Sequence, residues 1–307
     1  MGTGLCRRRR AGVVRDDPGR GDGAICRRLA QGGAVMRSQN RVAIALVVIA
    51  GVLMLVPMLW VLALSLKSNA ALMVDTNSVF DGVFTLENYA AILGDGQVFR
   101  WIGNSLIVSL GMTAGVLALS SLAGYGFARL EFPGRNILFV IVLLGLAVPE
   151  QAVIIARHQL FSWAGWHNTY PALIIPGLAA PFGVFLMTQY FRAIPKELDE
   201  AAMLDSASRF TVFWKVLLPL TIPAQATLGI FTFLSAWNDY WWPLISATNK
   251  QMFTLTVGIA STQMNFAQTE GLGFLMAQAV FAGAPILIVY LFFQKYIVQA
   301  VAGAAGR

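Results

Sequence analysis

Apolar residues along this chain gather in six long runs instead of alternating at the period of a strand or a surface helix. The runs cover about 42–64, 102–128, 137–155, 171–190, 216–236 and 274–293. A helix rises 1.5 Å per residue, so about 20 apolar residues cross the hydrocarbon core of a bilayer. In lipid every backbone N–H and C=O must find a partner within the protein, and an α-helix supplies those partners from its own segment. The pattern therefore predicts an all-α membrane protein with six transmembrane helices.

Composition supports that prediction. The 307 residues are 57% hydrophobic and only 12% charged, with a mean hydropathy of +0.66. A soluble domain carries about 25% charged residues to solvate its surface. The net charge of +7 does not form a basic patch for nucleic acid, because the cations fall between apolar runs. With both termini on one side, eighteen of the 22 Lys and Arg lie on that side. Only Lys67, Arg100, Arg157 and Lys250 lie on the other. Leaving out the eight arginines of residues 1–35 still leaves ten against four. The positive-inside bias thus places both termini in the cytoplasm.

Residues 1–35 are rich in Gly, Arg and Asp and contain no apolar stretch, so they lack the h-region of a signal peptide. They read either as a disordered basic tail or as upstream sequence preceding a true start at Met36. The six-span domain, carrying the cytoplasmic segment 191–215, is then 36–307. Cys6 and Cys26 sit in this leader, on the reducing side, where a structural disulfide is not expected.

Gly111 and Gly115 make a small-xxx-small face in the second run, followed by Gly124 and Gly126, and such faces let helices approach closely. Pro171, Pro176 and Pro181 recur along the fourth run, while Pro57 and Pro285 are expected to interrupt the first and sixth. Glu150 is the one charge within an apolar run. Ion-coupled carriers commonly place carboxylates inside their spans, so energy is expected to come from elsewhere. No Gly-Lys dipeptide occurs, which excludes a Walker A loop. No Ser/His/Asp or Cys/His set points to an enzyme, and His158 and His167 lack partners at metal-ligand spacing.

Between the fourth and fifth runs lies the longest internal cytoplasmic segment, residues 191–215. Pro195 suits the first turn of a helix, and Glu197, Asp199 and Glu200 favour its positive end. Asp205-Ser206-Ala207-Ser208 offers a turn and a fresh N-cap. A second short helix from Arg209 then leads into Leu217-Leu218-Pro219-Leu220. The expected product is a compact knob able to enter a groove on a partner.

Glu200-Ala201-Ala202, Asp205 and Leu218-Pro219-Leu220 resemble the EAA loop of ABC importer permeases. That pattern has a glycine after the aspartate, where this chain has Ser206, so Asp205 or Ser206 is expected to adopt the left-handed conformation that glycine would ease. Phe84-Thr85-Leu86-Glu87-Asn88-Tyr89, Asn104-Ser105, the segment from Gly124 to Gly134 and Ala236-Trp237-Asn238-Asp239 are similar to maltose-type carbohydrate permeases. So is the tail, Phe293-Gln294-Lys295-Tyr296-Ile297-Val298 with Ala302-Gly303-Ala304, which resembles the subunit lacking an N-terminal accessory span.

The resemblance implies a type I ABC importer permease fold and a role in sugar uptake. It implies that Glu200, Ala201, Ala202, Leu204, Asp205, Ser206 and Pro219 couple to an ATPase. It also implies four partners: a second homologous permease, two ATP-binding cassette subunits, an extracytoplasmic sugar-binding protein and membrane lipid. ATP and Mg would be bound by the ATPase and no cofactor by this chain. For the substrate path, Trp237, Asn238, Tyr240 and Trp241 combine aromatic faces with polar groups, as sugar sites do; an interfacial aromatic belt is the alternative. Gln225, Thr227 and Thr232 in the fifth run, with Asn104 and Gln278, are candidate polar linings, and hydrogen bonding between helices is the other reading. An importer of glycerol phosphate or peptide, an ion-coupled carrier and a membrane scaffold remain alternatives.

Overall fold

The computed structural model describes residues 22–68, 84–94, 96–266 and 271–305. Regular structure among them is helical, apart from a single bridge pairing Lys67 with Phe84. Residues 1–21, with Cys6 and most of the basic leader, lie outside the described residues, and a helix runs from Asp22 to Ser65. Two compact units divide the chain, Met1–Trp60 and Val61–Arg307. In the first, the apolar side chains from Ile44 to Trp60 stand exposed, as a helix solvated by lipid requires. Pro57 does not interrupt that helix, and neither does Pro285 interrupt Gly271–Ala305.

Among the described residues, three helices are individually long and apolar enough to cross a membrane: Ala43–Ser65, Gln97–Arg129 and Gly271–Ile288. The remaining three apolar runs are bent pairs. Arg135–Ala147 and Glu150–Trp163 meet at 95°, Tyr170–Leu178 and Pro181–Ala193 at 48°, and Arg209–Leu220 and Ile222–Asn238 at 75°. Six spans result when each pair counts as one. A proline marks every break, namely Pro149, Pro181 and the Pro219/Pro223 pair. Proline removes a backbone donor and clashes with the preceding turn. The third run therefore turns where Val148 leaves helical geometry ahead of Pro149.

Gln97–Arg129, the second span, is the hub of the second unit and packs along the fourth and fifth. Gly124 lets the second span approach the backbone of the fourth. A Cβ built there would stand 2.6 Å from Met187 Cβ and 2.9 Å from the Thr188 backbone nitrogen. Gly111 and Gly115 likewise face Ile174 and Leu178 of the fourth span. Two apolar cores lie at opposite ends of this hub. One gathers Val116, Tyr125, Met187, Phe191, Phe213 and Leu217; the other gathers Trp101, Phe233, Trp237, Leu255 and Ile259.

Candidate functional site: a knob and a cavity on one bundle

The knob begins with helix Glu197–Leu204, whose first turn carries Glu197, Asp199 and Glu200. Its end is closed by paired backbone bonds: Ser206 N donates to Met203 O at 3.0 Å, and Ala207 N to Ala202 O at 3.1 Å. This geometry is a Schellman stop, which needs one residue in left-handed conformation. Ser206 supplies it with φ +59°, while Asp205 keeps φ −78°. Ser208 then caps the next helix, accepting a hydrogen bond from Thr211 N at 3.2 Å. That helix widens into a π-turn over Val212–Leu217 before Pro219 and the 75° bend. Carbonyls freed near the bend are satisfied locally. Thr221 Oγ1 donates to Leu218 O at 2.8 Å, and Gln225 Nε2 to the same oxygen at 2.9 Å.

Glu200, Ala201, Met203, Leu204, Asp205 and Ser206 are exposed, and Leu204 is 87% exposed. Ala202 is half-buried against the apolar core at this end of the hub. The knob thus presents one small-residue face to the bundle and another outward, carrying an acid and an apolar tip. Phe210 and Trp214 stack at 6.3 Å beside it, both exposed.

Three side chains hold the knob through contacts that the sequence does not signal. Arg129, the last residue of the second span, lies with Nε 2.9 Å from Asp199 Oδ2 and donates from Nη2 to Ile194 O at 2.6 Å. Their side chains are 5% and 13% exposed. Tyr125, one turn earlier, donates from its hydroxyl to Arg209 O at 3.2 Å. Burial pushes the Asp199 carboxyl above its ordinary range despite the opposing pull of Arg129. Asp199 and Arg129 stand 70 positions apart in sequence, and no local pattern signals their pairing.

Toward the opposite end of the bundle a half-open cavity of about 1160 Å³ is bounded by the bends of the third and fourth spans and by the end of the fifth. Thr232, Asn238, Tyr240 and Trp241 line it. So do Glu150, Arg157 and Asp239, the charged side chains of its wall. Arg157 pairs with Glu150 at 3.1 Å and lies over the Trp242 ring at 5.1 Å. Burial and neighbouring Glu150 push Asp239, just beyond the fifth span, up to about 6.

The other five residues expected along a path, Asn104, Gln225, Thr227, Trp237 and Gln278, do not line this cavity. Asn104 is buried and donates to Gln251 O and Phe253 O, while Tyr170 donates to its Oδ1. Gln225 bridges the bend of the fifth span. Trp237 is 1% exposed, lies against Phe233 and donates to Ala282 O. Gln278 is buried and accepts from Thr262 at 3.1 Å. Asn104 and Gln278 thus make hydrogen bonds between helical segments, Gln225 bonds within its own span, and Trp237 packs in the apolar core. His158 and His167 come within 4.6 Å ring to ring and share Ser162.

Residues 116–303, from the cavity wall through the knob to the sixth span, match the family model for binding-protein-dependent transport system inner membrane components. The chain belongs to that family. This permease is 34% identical over 250 residues to the arabinooligosaccharides transport system permease protein AraQ of Bacillus subtilis, covering 80% of this chain and 88% of the relative. It is 33% identical over 265 residues to the diacetylchitobiose uptake system permease protein NgcG of Streptomyces coelicolor, covering 86% and 87% respectively. A solved bacterial ABC transporter involved in import of the acidic polysaccharide alginate has a chain with the same fold. That match has a TM-score of 0.72 and 22% identity over 85% of this chain and 98% of the other. The chain is the permease subunit of a binding-protein-dependent ABC importer, a membrane transporter subunit and not an enzyme.

Proposed function

We propose that this permease conducts an oligosaccharide or sugar derivative into a bacterial cell by alternating access, driven through the knob by a separate ATPase. The observation that carries the reading is the cavity. An exposed Trp241 stands with Tyr240, Asn238 and Thr232 around a half-open space on the bundle that carries the knob. Aromatic faces beside a few polar groups suit the apolar faces and hydroxyls of a sugar. The sugar-uptake roles in the names of its relatives support the same substrate class.

The positive-inside bias puts the knob and both termini in the cytoplasm. A second homologous permease completes the path on the open side of the cavity. Two ATP-binding cassette subunits, which hold ATP and Mg, receive Glu200, Ala201, Ala202, Leu204, Asp205 and Ser206, and Pro219 fixes the direction in which the knob leaves the bundle. The loaded binding protein docks on the extracytoplasmic side, and lipid surrounds the assembly. ATP binds two states of the ATPase pair unequally and so shifts the bundle between inward- and outward-facing forms. The knob transmits that shift.

The test is uptake by the whole importer reconstituted in liposomes, with a panel of labelled oligosaccharides, glycerol phosphate and peptides. ATP-dependent uptake of an oligosaccharide is expected, and Glu200→Lys should remove it while the subunit stays in the membrane. Full uptake by the variant would refute the coupling role, and uptake of only non-sugar solutes would refute the substrate class.

A further inference from the structure

We propose that Arg129 and Tyr125 are the positioning residues that hold the coupling knob and carry its displacement into the second span. The inference rests on the reading of the knob as the ATPase-coupling element. Its starting observation is where the knob is attached. The chain enters the knob at Ile194 and leaves it at Arg209. Both points are tied to one turn of one helix, Ile194 O through Arg129 and Arg209 O through Tyr125. Residues four apart share a helix face, so Tyr125 and Arg129 grip the two flanks from the same side. Between the flanks the Arg129 guanidinium also meets Asp199 in the first turn of the knob helix. One cation thereby contacts the knob's entry point at Ile194 and its helix.

The chemistry of the pair favours positioning over adhesion. A buried ion pair is weak as a source of stability, because desolvation offsets its attraction, whereas removing one partner leaves the other uncompensated. Neither Asp199 Oδ1 nor Arg129 Nε has a hydrogen-bond partner among the described residues, so this pair is an ion contact not optimised for binding strength. Arginine suits a double contact because its planar fork can address a carboxylate and a carbonyl together; a lysine ammonium is a point charge without that fork.

The second span then gives the grip a destination. It is continuous from Gln97 to Arg129, and Met112 and Val116 of the same helix line the cavity. The fourteen residues of helix from Val116 to Arg129 span roughly 20 Å. Backbone contact at Gly124 also joins this helix to the fourth span, whose broken segment forms another wall of the cavity. A displacement of the knob is thus delivered to two walls through side chains that touch neither substrate nor ATPase.

The experiment uses the whole reconstituted importer and measures ATP hydrolysis and solute uptake together. Arg129→Lys and Asp199→Asn are expected to retain the co-purifying ATPase and its hydrolysis while uptake per ATP falls at least tenfold. Tyr125→Phe, which removes one hydroxyl and keeps the packing, should lower uptake per ATP about threefold. Uptake per ATP within twofold of wild type in all three variants would overturn the proposal. Parallel loss of hydrolysis and uptake would overturn it too, since that is the signature of a merely structural contact. Failure of the sugar reading is distinguishable: wild type would then move a different solute, and the same ratio measured on that solute still decides the role of Arg129.

Discussion

Gly124 and Gly126 lie two positions apart in the second span, yet adding a methyl group to each should have opposite consequences. At Gly124 a Cβ would fall 2.6 Å from Met187 Cβ, 2.9 Å from Thr188 N and 3.0 Å from the Met187 carbonyl carbon. Ordinary contact is 3.4–4 Å, and none of these atoms can leave by a rotamer change. Gly124→Ala must therefore push the second and fourth spans apart by a substantial fraction of an ångström, at a place where Met187 and Thr188 are fully buried. Overpacking of this kind costs about 1–3 kcal/mol. At Gly126 nothing lies within 4 Å, so Gly126→Ala meets no obstacle and gains up to about 1 kcal/mol of helix propensity. The difference between the two variants is thus on the order of 1–4 kcal/mol. Thermal midpoints of the detergent-purified complex, followed by intrinsic tryptophan fluorescence, measure it. Gly124→Ala should melt several degrees below wild type, with Gly126→Ala at or above it. Equal midpoints for the two variants would show that the spans do not meet through backbone at Gly124.

Ser206 holds φ +59°, a conformation that costs an L-residue roughly 1–2 kcal/mol. Ser206→Gly should raise the midpoint, offset in part by the unfolded-chain entropy of glycine, and Ser206→Val should lower it. A Val variant as stable as Gly would mean the knob does not need this turn. Burial, with Glu150 nearby, pushes Asp239 up to about 6 from 3.8, so the folded chain binds this proton more tightly than the unfolded chain. The stability from this site is complete below about 3.8 and is lost as pH rises through about 6. Asp239→Asn should therefore melt above wild type near neutral pH, with the gap closing on acidification; a constant gap would contradict this. Trp237→Ala, at a position 1% exposed, should cost about 3–5 kcal/mol. Trp241→Ala, at a position 58% exposed, should leave the midpoint in place and weaken sugar uptake. Reversal of those two phenotypes would exchange their roles.

Much of this architecture is legible along the chain because lipid imposes a one-dimensional constraint. A span must be apolar for about 20 residues wherever its neighbours are, so six runs could be drawn without any contact map. The knob was legible for a related reason. Its helix start, its left-handed stop at Asp205-Ser206 and its second N-cap at Ser208 are local features, each set by residues within a turn of one another. The bend of the third span was harder to see. Its apolar run is interrupted only at Pro149-Glu150-Gln151, and that short break is all that separates a straight crossing from a 95° turn.

Which polar residues face the cavity was decided by tertiary structure alone. Asn104, Gln225, Trp237 and Gln278 have the same chemistry as Thr232, Asn238, Tyr240 and Trp241. The first four find carbonyls, hydroxyls or rings on adjoining helix segments and are occupied there. The second four line the open wall where the bent spans part. The Arg129–Asp199 pair belongs with them, joining residues 70 positions apart. Hydropathy and capping depend on neighbours in sequence and can be read from it. Facing depends on which helices become neighbours in space, and the backbone contact at Gly124 together with the proline breaks determines that.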